Sequence, residues 1–231
     1  MPLPTVPARQ GLTPPRRGTA DQVTPTLLAV GLLDWWRSEF TQEEQARVAA
    51  VYEPLSASVP CMGGDATTEE IGDENEVVWT SLTPTSALAG IAVWLKTLED
   101  WPIARRVVVK AEALALADKR EFLALHFLYA TVIQLRYRWR HDDPAAMTDT
   151  IEACERQIAI APRAATAFRR RDSSGHLPAH FGYKKLAVIR TKQGDFEGAI
   201  KLCEKALAQG WGGDWEKRIA RLRRRSGSLQ L

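Results

Sequence analysis

Cysteine is scarce and scattered. Cys61, Cys154 and Cys203 are odd in number, and no two of them stand at CxxC spacing. That argues against a disulfide framework or a structural zinc site, and toward a reducing, cytoplasmic setting. Long apolar runs are missing too. The longest spans Leu27 to Leu33, is interrupted by Gly31 and is stopped by Asp34, far short of the roughly 20 residues that cross a bilayer. The long Pro-rich leader before it, and the Trp35-Trp36-Arg37 after it, do not match a signal peptide, whose cleavage site takes small residues. No membrane partner is expected. Neither phosphate-cradling glycine pattern occurs, GxxxxGK with Ser or Thr or GxGxxG, so no nucleotide cofactor is implied. Histidines number four, and two of them, His176 and His180, stand four apart with Pro178 between them. Proline breaks a shared helix face, and no carboxylate or Cys is placed to complete a metal site. The net charge of +3 is too small to demand a polyanionic partner.

What remains is the composition of a globular protein, with 45% hydrophobic and 26% charged residues, enough to bury a sizeable core. Four stretches differ in character. Residues 1–25 carry Pro2, Pro4, Pro7, Pro14, Pro15 and Pro25 with few large apolar groups, and read as a disordered, partly polyproline-II tail. Residues 26–55 read as a helical hairpin. Its first helix runs from Thr26 to about Phe40. Its second is opened by Thr41 with Glu44 three residues on, a capping box, carries Val48, Val51 and Tyr52 inward, and stops near Pro54. Residues 56–84 read as a flexible acidic loop: Asp65, Glu69, Glu70, Asp73, Glu74 and Glu76 have no Lys or Arg among them. Residues 85–231 are helical throughout.

That last stretch repeats. Tyr183, Leu186 and Ala187 share one helix face; Gly194-Asp195-Phe196 makes a turn. Ala199, Cys203 and Ala206 then form the stripe of a second helix, which Gly210 closes. Small residues on facing stripes let two antiparallel helices approach closely. Ile151-Glu152-Ala153-Cys154-Glu155-Arg156 matches Ile200-Lys201-Leu202-Cys203-Glu204-Lys205, and Pro162 stands where Trp211 does. Upstream of this middle unit, Phe122, Leu125, Tyr129 and Val132 predict a first helix from about Arg120 to Trp139. An earlier pair is predicted from Leu88, Ile91, Ala92 and Leu95, then Trp101, Ala104, Val108 and Ala111. Residues 163–179 read as a short helix and an exposed loop between units. Asp214 to Arg225 reads as a capping helix with Ile219 and Leu222 inward.

Residues 180–211 resemble the tetratricopeptide repeat, a helix–turn–helix unit of about 34 residues. They depart from it at Arg190, where an aromatic is usual, and at Trp211, where proline is. The likeness extends to poorly characterised bacterial repeat proteins and implies no activity of its own. It implies an all-α, right-handed stack of antiparallel helical hairpins, a TPR-like α-solenoid. It also implies a non-catalytic scaffold that binds a peptide or protein partner on a concave face lined by the first helix of each unit. On that face the resemblance places Phe127, Ala130, Lys184, Val188, Thr191 and Lys192, the two lysines suiting an acidic side chain or a terminal carboxylate.

The alternative partner is nucleic acid, read by Arg169-Arg170-Arg171 and by Lys217, Arg218, Arg221, Arg223, Arg224 and Arg225. No stacking aromatics interleave with those clusters, and cations at a helix C-terminus also complement its dipole. Cys154 and Cys203, at equivalent repeat positions, are expected to be small buried packing groups with no histidine set to activate them. His126 is expected to be a satisfied, half-buried side chain.

Overall fold

The computed structural model describes residues 22–53, 82–118, 121–171 and 175–227. The Pro-rich tail through residue 21, the acidic stretch 56–77 and Cys61 lie outside the described residues. Among the described residues there are ten helices and one two-stranded ladder, so the protein is mostly helical, as the apolar periodicity predicts.

The N-terminal region differs from the expected hairpin in one respect. In place of a single helix from Thr26 to Phe40 there are two, α1 (Val23–Ala29) and α2 (Leu33–Glu39). Gly31 is the cause. It adopts φ +70°, and the N–H groups of Gly31 and Leu32 turn back to the carbonyls of Leu28 and Leu27, the glycine-centred closure of a helix C-terminus. Because α1 starts at Val23, the last residues of the expected tail are helical. α3 (Gln42–Val51) opens with the predicted capping box. The Glu44 N–H donates to Thr41 Oγ1 at 3.2 Å, and the Thr41 N–H to Glu44 Oε2 at 2.9 Å.

Three helix pairs follow: α4 (Pro84–Trp94) with α5 (Trp101–Ala117), α6 (Phe122–Arg138) with α7 (Ala146–Arg171), and α8 (Phe181–Lys192) with α9 (Phe196–Gln209). α10 (Trp215–Gly227) packs on α9. α4 also touches α6, and α6 touches α8; α5 rests on α6, and α7 on α8. The small residues sit where this closeness demands them: Ala104, Ala111, Cys154, Ala187, Ala199, Cys203 and Ala206 are all buried. Gly194 and Gly210 take φ +82° at the turn and at the close of α9, as their positions predict. One hydrophobic core runs from Val23 to Leu222. The first three helices share it, α1 packing on α4. Arg47 reaches across to the buried Asp100 at 2.8 Å. Arg106 binds Glu44 and the Glu39 carbonyl while lying over the Phe40 ring.

Two further expectations are corrected. Pro162 does not end the middle unit, because α7 runs through it for 26 residues to Arg171. Proline removes one N–H from the ladder, but Pro162 is on the exposed side. Opposite it Ala161, Ala164 and Ala165 are buried, and alanine is the strongest helix former. Residues 163–171 are therefore the end of α7 rather than a separate short helix. The loop beyond is not wholly exposed either. β1 (Leu177–Ala179) pairs in parallel with β2 (Trp211–Gly212), Leu177 opposite Trp211. A Cβ on Gly212 would meet the Leu177 carbonyl at 2.8 Å, so the ladder needs glycine there.

That ladder brings Trp211 into an aromatic cluster spanning α6, α7 and the start of α8. The His126 ring stacks on Trp211 at 5.3 Å and 4°, and Phe168 and His180 meet Trp211 edge-on. Gln157 joins the same elements: its Nε2 donates to the His126 carbonyl at 2.7 Å, and its Oε1 accepts from the Gly182 N–H at 2.6 Å. His180 caps α8 by accepting the Tyr183 N–H at Nδ1, which leaves its Nε2 with the proton. His126 is thus not the satisfied half-buried side chain expected. It is 2% exposed, and neither its Nδ1 nor His180 Nε2 has a hydrogen-bond partner among the described residues.

Arg136 is the other unusual core group. It is fully buried, donates to Asp149 at 2.8 Å and Asp143 at 2.6 Å, and lies 4.4 Å from the centre of the Trp101 ring. Truncating one partner of a buried charge pair commonly costs several kcal/mol. Arg136→Ala is expected to lose about 3 kcal/mol in urea unfolding, and Arg136→Met, which refills the space, to recover part of it.

A pH dependence follows from the histidines. Burial pulls His126 down to about 4, and burial aided by His126 pulls His180 down to about 3. Folded, both stay neutral where the unfolded chain takes protons near pH 6.5. The unfolded state then binds more protons, so stability falls as pH drops from about 6.5 toward about 4, by up to roughly 1.4 kcal/mol per pH unit for each histidine. His180→Asn, which keeps a capping acceptor, is expected to flatten the fall in urea midpoint between pH 7 and pH 5 relative to the parent chain.

Candidate functional site

The two helices that touch through the middle of the fold, α6 and α8, each turn one face to the core and one outward. On α6 the outward stripe holds Phe127, 54% exposed, then Gln134 and Arg138. On α8 it holds Phe181, Lys184 and Lys192, with Val188 and Thr191 half-buried. Five of the six predicted residues therefore reach this surface. Ala130 does not: at 7% exposure it is a packing residue, on the flank of α6 that faces its neighbours. The Thr191 hydroxyl donates to the Ala187 carbonyl, 2.7 Å away, inside its own helix.

The chemistry concentrates at the C-terminal end of α6, around Tyr137, which the sequence reading overlooked. Lys185 Nζ lies 3.7 Å from the Tyr137 ring centre, and the Arg140 guanidinium 4.4 Å from it. Lys192 Nζ donates to the Tyr137 hydroxyl at 3.2 Å. Arg140 is anchored by a 2.8 Å bond from Nη1 to the Tyr137 carbonyl. Ammonium and guanidinium groups are attracted to the electron-rich face of an aromatic ring, which is why one tyrosine can gather several. Among the described residues, Arg138, Arg140, Lys184, Lys185 and Lys192 have no ion-pair partner. The Lys185 ammonium is held below its ordinary range, first by burial, with Arg140 and Lys184 adding repulsion against the pull of Tyr137 and Cys154.

A signal for this cluster was present in the run Arg136-Tyr137-Arg138-Trp139-Arg140. On a helix, successive residues turn by about 100°, so the run divides. Arg136 and Trp139 go into the core, Arg138 is exposed, and Tyr137 and Arg140 are half-buried.

The arginine clusters singled out for nucleic acid are differently engaged. Arg169 donates to the Gln209 carbonyl at 2.8 Å. Arg218 and Arg221 reach Asp214, Arg223 reaches Glu204, and Arg225 lies over Phe196. Arg170 and Arg171 are exposed. Cys154 and Cys203 are free and buried, and burial pushes their thiols up to about 12 and about 11, away from the thiolate that nucleophilic chemistry uses. His180, with Nδ1 spent on its helix cap, is no ligand candidate. Among the described residues no three His, Cys, Asp or Glu side chains gather as a metal site, and no helix is long and apolar enough to cross a membrane.

The Tyr137 geometry has a direct readout. A methylene stem beneath an aromatic face feels its ring current, so the Lys185 side-chain protons are expected upfield in NMR spectra and should return to ordinary positions in Tyr137→Leu; unshifted protons in the parent chain would contradict the arrangement. No protein-family model, curated protein or solved structure matches this chain, so its function must be argued from the α6–α8 face itself.

Proposed function

We propose that the protein is a non-catalytic interaction scaffold, cytoplasmic in setting, that holds a peptide or protein partner across the outward face of α6 and α8. The observation that carries this reading is the group of cations gathered at Tyr137 with no ion-pair partner among the described residues, together with an exposed aromatic, Phe127, ten residues earlier on α6. Large exposed aromatics and arginines are the side chains that anchor interfaces. The order of helix packing supports the tetratricopeptide-like view of the stack. α4, α6 and α8 touch in succession, each is paired with the helix after it, and in such arrays the first helices line the partner surface.

Photo-crosslinking tests the reading. With p-benzoylphenylalanine in place of Phe127, a discrete crosslinked species is expected from the cell of origin. The same group in place of Val109, equally exposed but on α5, should give none. No crosslink from position 127, or the same products from both positions, would count against the scaffold.

A further inference from the structure

Several basic side chains sit against acids, Arg156 against Glu112 and Glu152, Arg190 against Asp195, Lys201 against Glu197 and Arg223 against Glu204, and others lie singly over one aromatic ring, as Lys110 does over Trp35 and Arg163 over Phe122. Tyr137 differs in gathering three cations at one ring. At the end of α6 and along α8, Arg140, Lys185 and Lys192 meet at Tyr137 with Lys184 beside them, and none has an ion-pair partner among the described residues. Like charges held in proximity repel, and the ring of Tyr137 keeps three of them there. Such an arrangement gains when an anion arrives, because the anion removes the repulsion and makes charge-assisted hydrogen bonds.

We infer that this cluster is a subsite for an acidic peptide, reading two of its carboxylates; the inference rests on the scaffold reading above and names what the scaffold would recognise. The cations lie in two groups along α8, Lys184 with Lys185 and then Lys192, seven residues on from Lys185 and so roughly 10 Å along the axis at 1.5 Å per residue. In a polyproline-II strand, side chains three residues apart share a face and are separated by roughly 9 Å. The ammonium groups lean toward one ring, Lys185 Nζ 3.7 Å and Lys192 Nζ 5.8 Å from the Tyr137 centre, so they stand no more than about 9.5 Å apart, a span that acidic residues at every third position of such a strand can bridge. The Tyr137 hydroxyl accepts from Lys192 and keeps its own proton to donate to the nearer carboxylate. Arg140, tied to the Tyr137 carbonyl through Nη1, has its second terminal nitrogen for the same task.

The same geometry disfavours nucleic acid. Single strands gain affinity by stacking bases on open aromatic faces, and the Tyr137 ring is already engaged by Lys185 and Arg140. A base could stack there only by displacing a cation.

The test is fluorescence anisotropy with labelled Glu-Pro-Pro-Glu-Pro-Pro-Glu, whose prolines hold the polyproline-II form, and its Gln-for-Glu analogue as control. It is run on the full chain and on a form carrying Asp65→Asn, Glu69→Gln, Glu70→Gln, Asp73→Asn, Glu74→Gln and Glu76→Gln, so that the chain's own acidic stretch does not compete. Salt-sensitive binding of the Glu peptide by either form, with none of the Gln analogue, is expected. Lys185→Met with Lys192→Met, which keeps the apolar stems, should weaken that binding by at least about tenfold at unchanged circular dichroism, as loss of charge-assisted hydrogen bonds requires. The proposal is overturned if neither form binds the Glu peptide, if the Lys variants bind it equally, or if twelve-residue oligothymidylate or inorganic phosphate displaces the probe at lower concentration than unlabelled peptide. A discrete crosslink from position 127 together with failure of the Glu peptide would overturn the carboxylate reading and leave the scaffold standing; failure of both would remove both.

Discussion

The position of α8 depends on the side-chain amide of Gln157. From the middle of α7 it gives a proton to a carbonyl of α6 and takes one from the first turn of α8. A buried amide left without partners costs on the order of 1–3 kcal/mol, so the three helices are held to a common register. Gly182 allows the approach, because a Cβ there would stand 2.9 Å from both the Cys154 carbonyl and Gln157 Oε1. His180 then caps α8, and Trp211 folds back over His126. With α8 fixed against α6 in this way, Lys185 and Lys192 are brought to Tyr137. The basic face thus depends on a buried polar contact that ties the same helices together.

One five-residue run serves both sides. Arg136 near the end of α6 and Arg140 just beyond it each pair a guanidinium with an aromatic ring. Arg136 is enclosed and answered by Asp143 and Asp149; Arg140 has no such answer among the described residues. Enclosure makes the first a structural tie whose charge is balanced within the fold. Only half-buried, the second keeps a terminal nitrogen for something outside the fold.

The features legible in the sequence were those set by neighbours in the chain. The Thr41 and Glu44 capping box, the left-handed turns at Gly194 and Gly210, and the alanine and cysteine stripes all follow from one or two turns of helix. They were read at the right residues. Gly31 is visible but its effect is not, since an isolated glycine inside a helical pattern can be tolerated at some cost or can close the helix. Pro162 misled because its tolerance depends on the buried alanines beneath it and on its facing outward. The pairing of Leu177 with Trp211 joins residues too far apart for periodicity to register. Helical spacing read through the repeat resemblance puts Ala130 on the open face, but a small side chain among packed helices is covered by its neighbours. Tyr137, Arg140 and Lys185 are hard to single out in the sequence because the informative pattern is arginine alternating with aromatics rather than a run of arginines, and the lysine that meets the ring lies on another helix.

The length of α7 carries one more consequence. At 26 residues it extends roughly 39 Å, against roughly 25 Å for the 17 residues of α6. Its overhanging end reaches the closing turn of the last pair, where Arg169 binds the Gln209 carbonyl and Phe168 meets Trp211. Idealised repeat arrays can be shortened or lengthened by whole units because each unit meets only its immediate neighbours through a standard seam. Here one helix acts as a strut between the middle pair and the turn that ends the third. Deleting that third pair would uncover His126 and Phe168 together, so the number of units is built into this fold and is not a parameter free to drift.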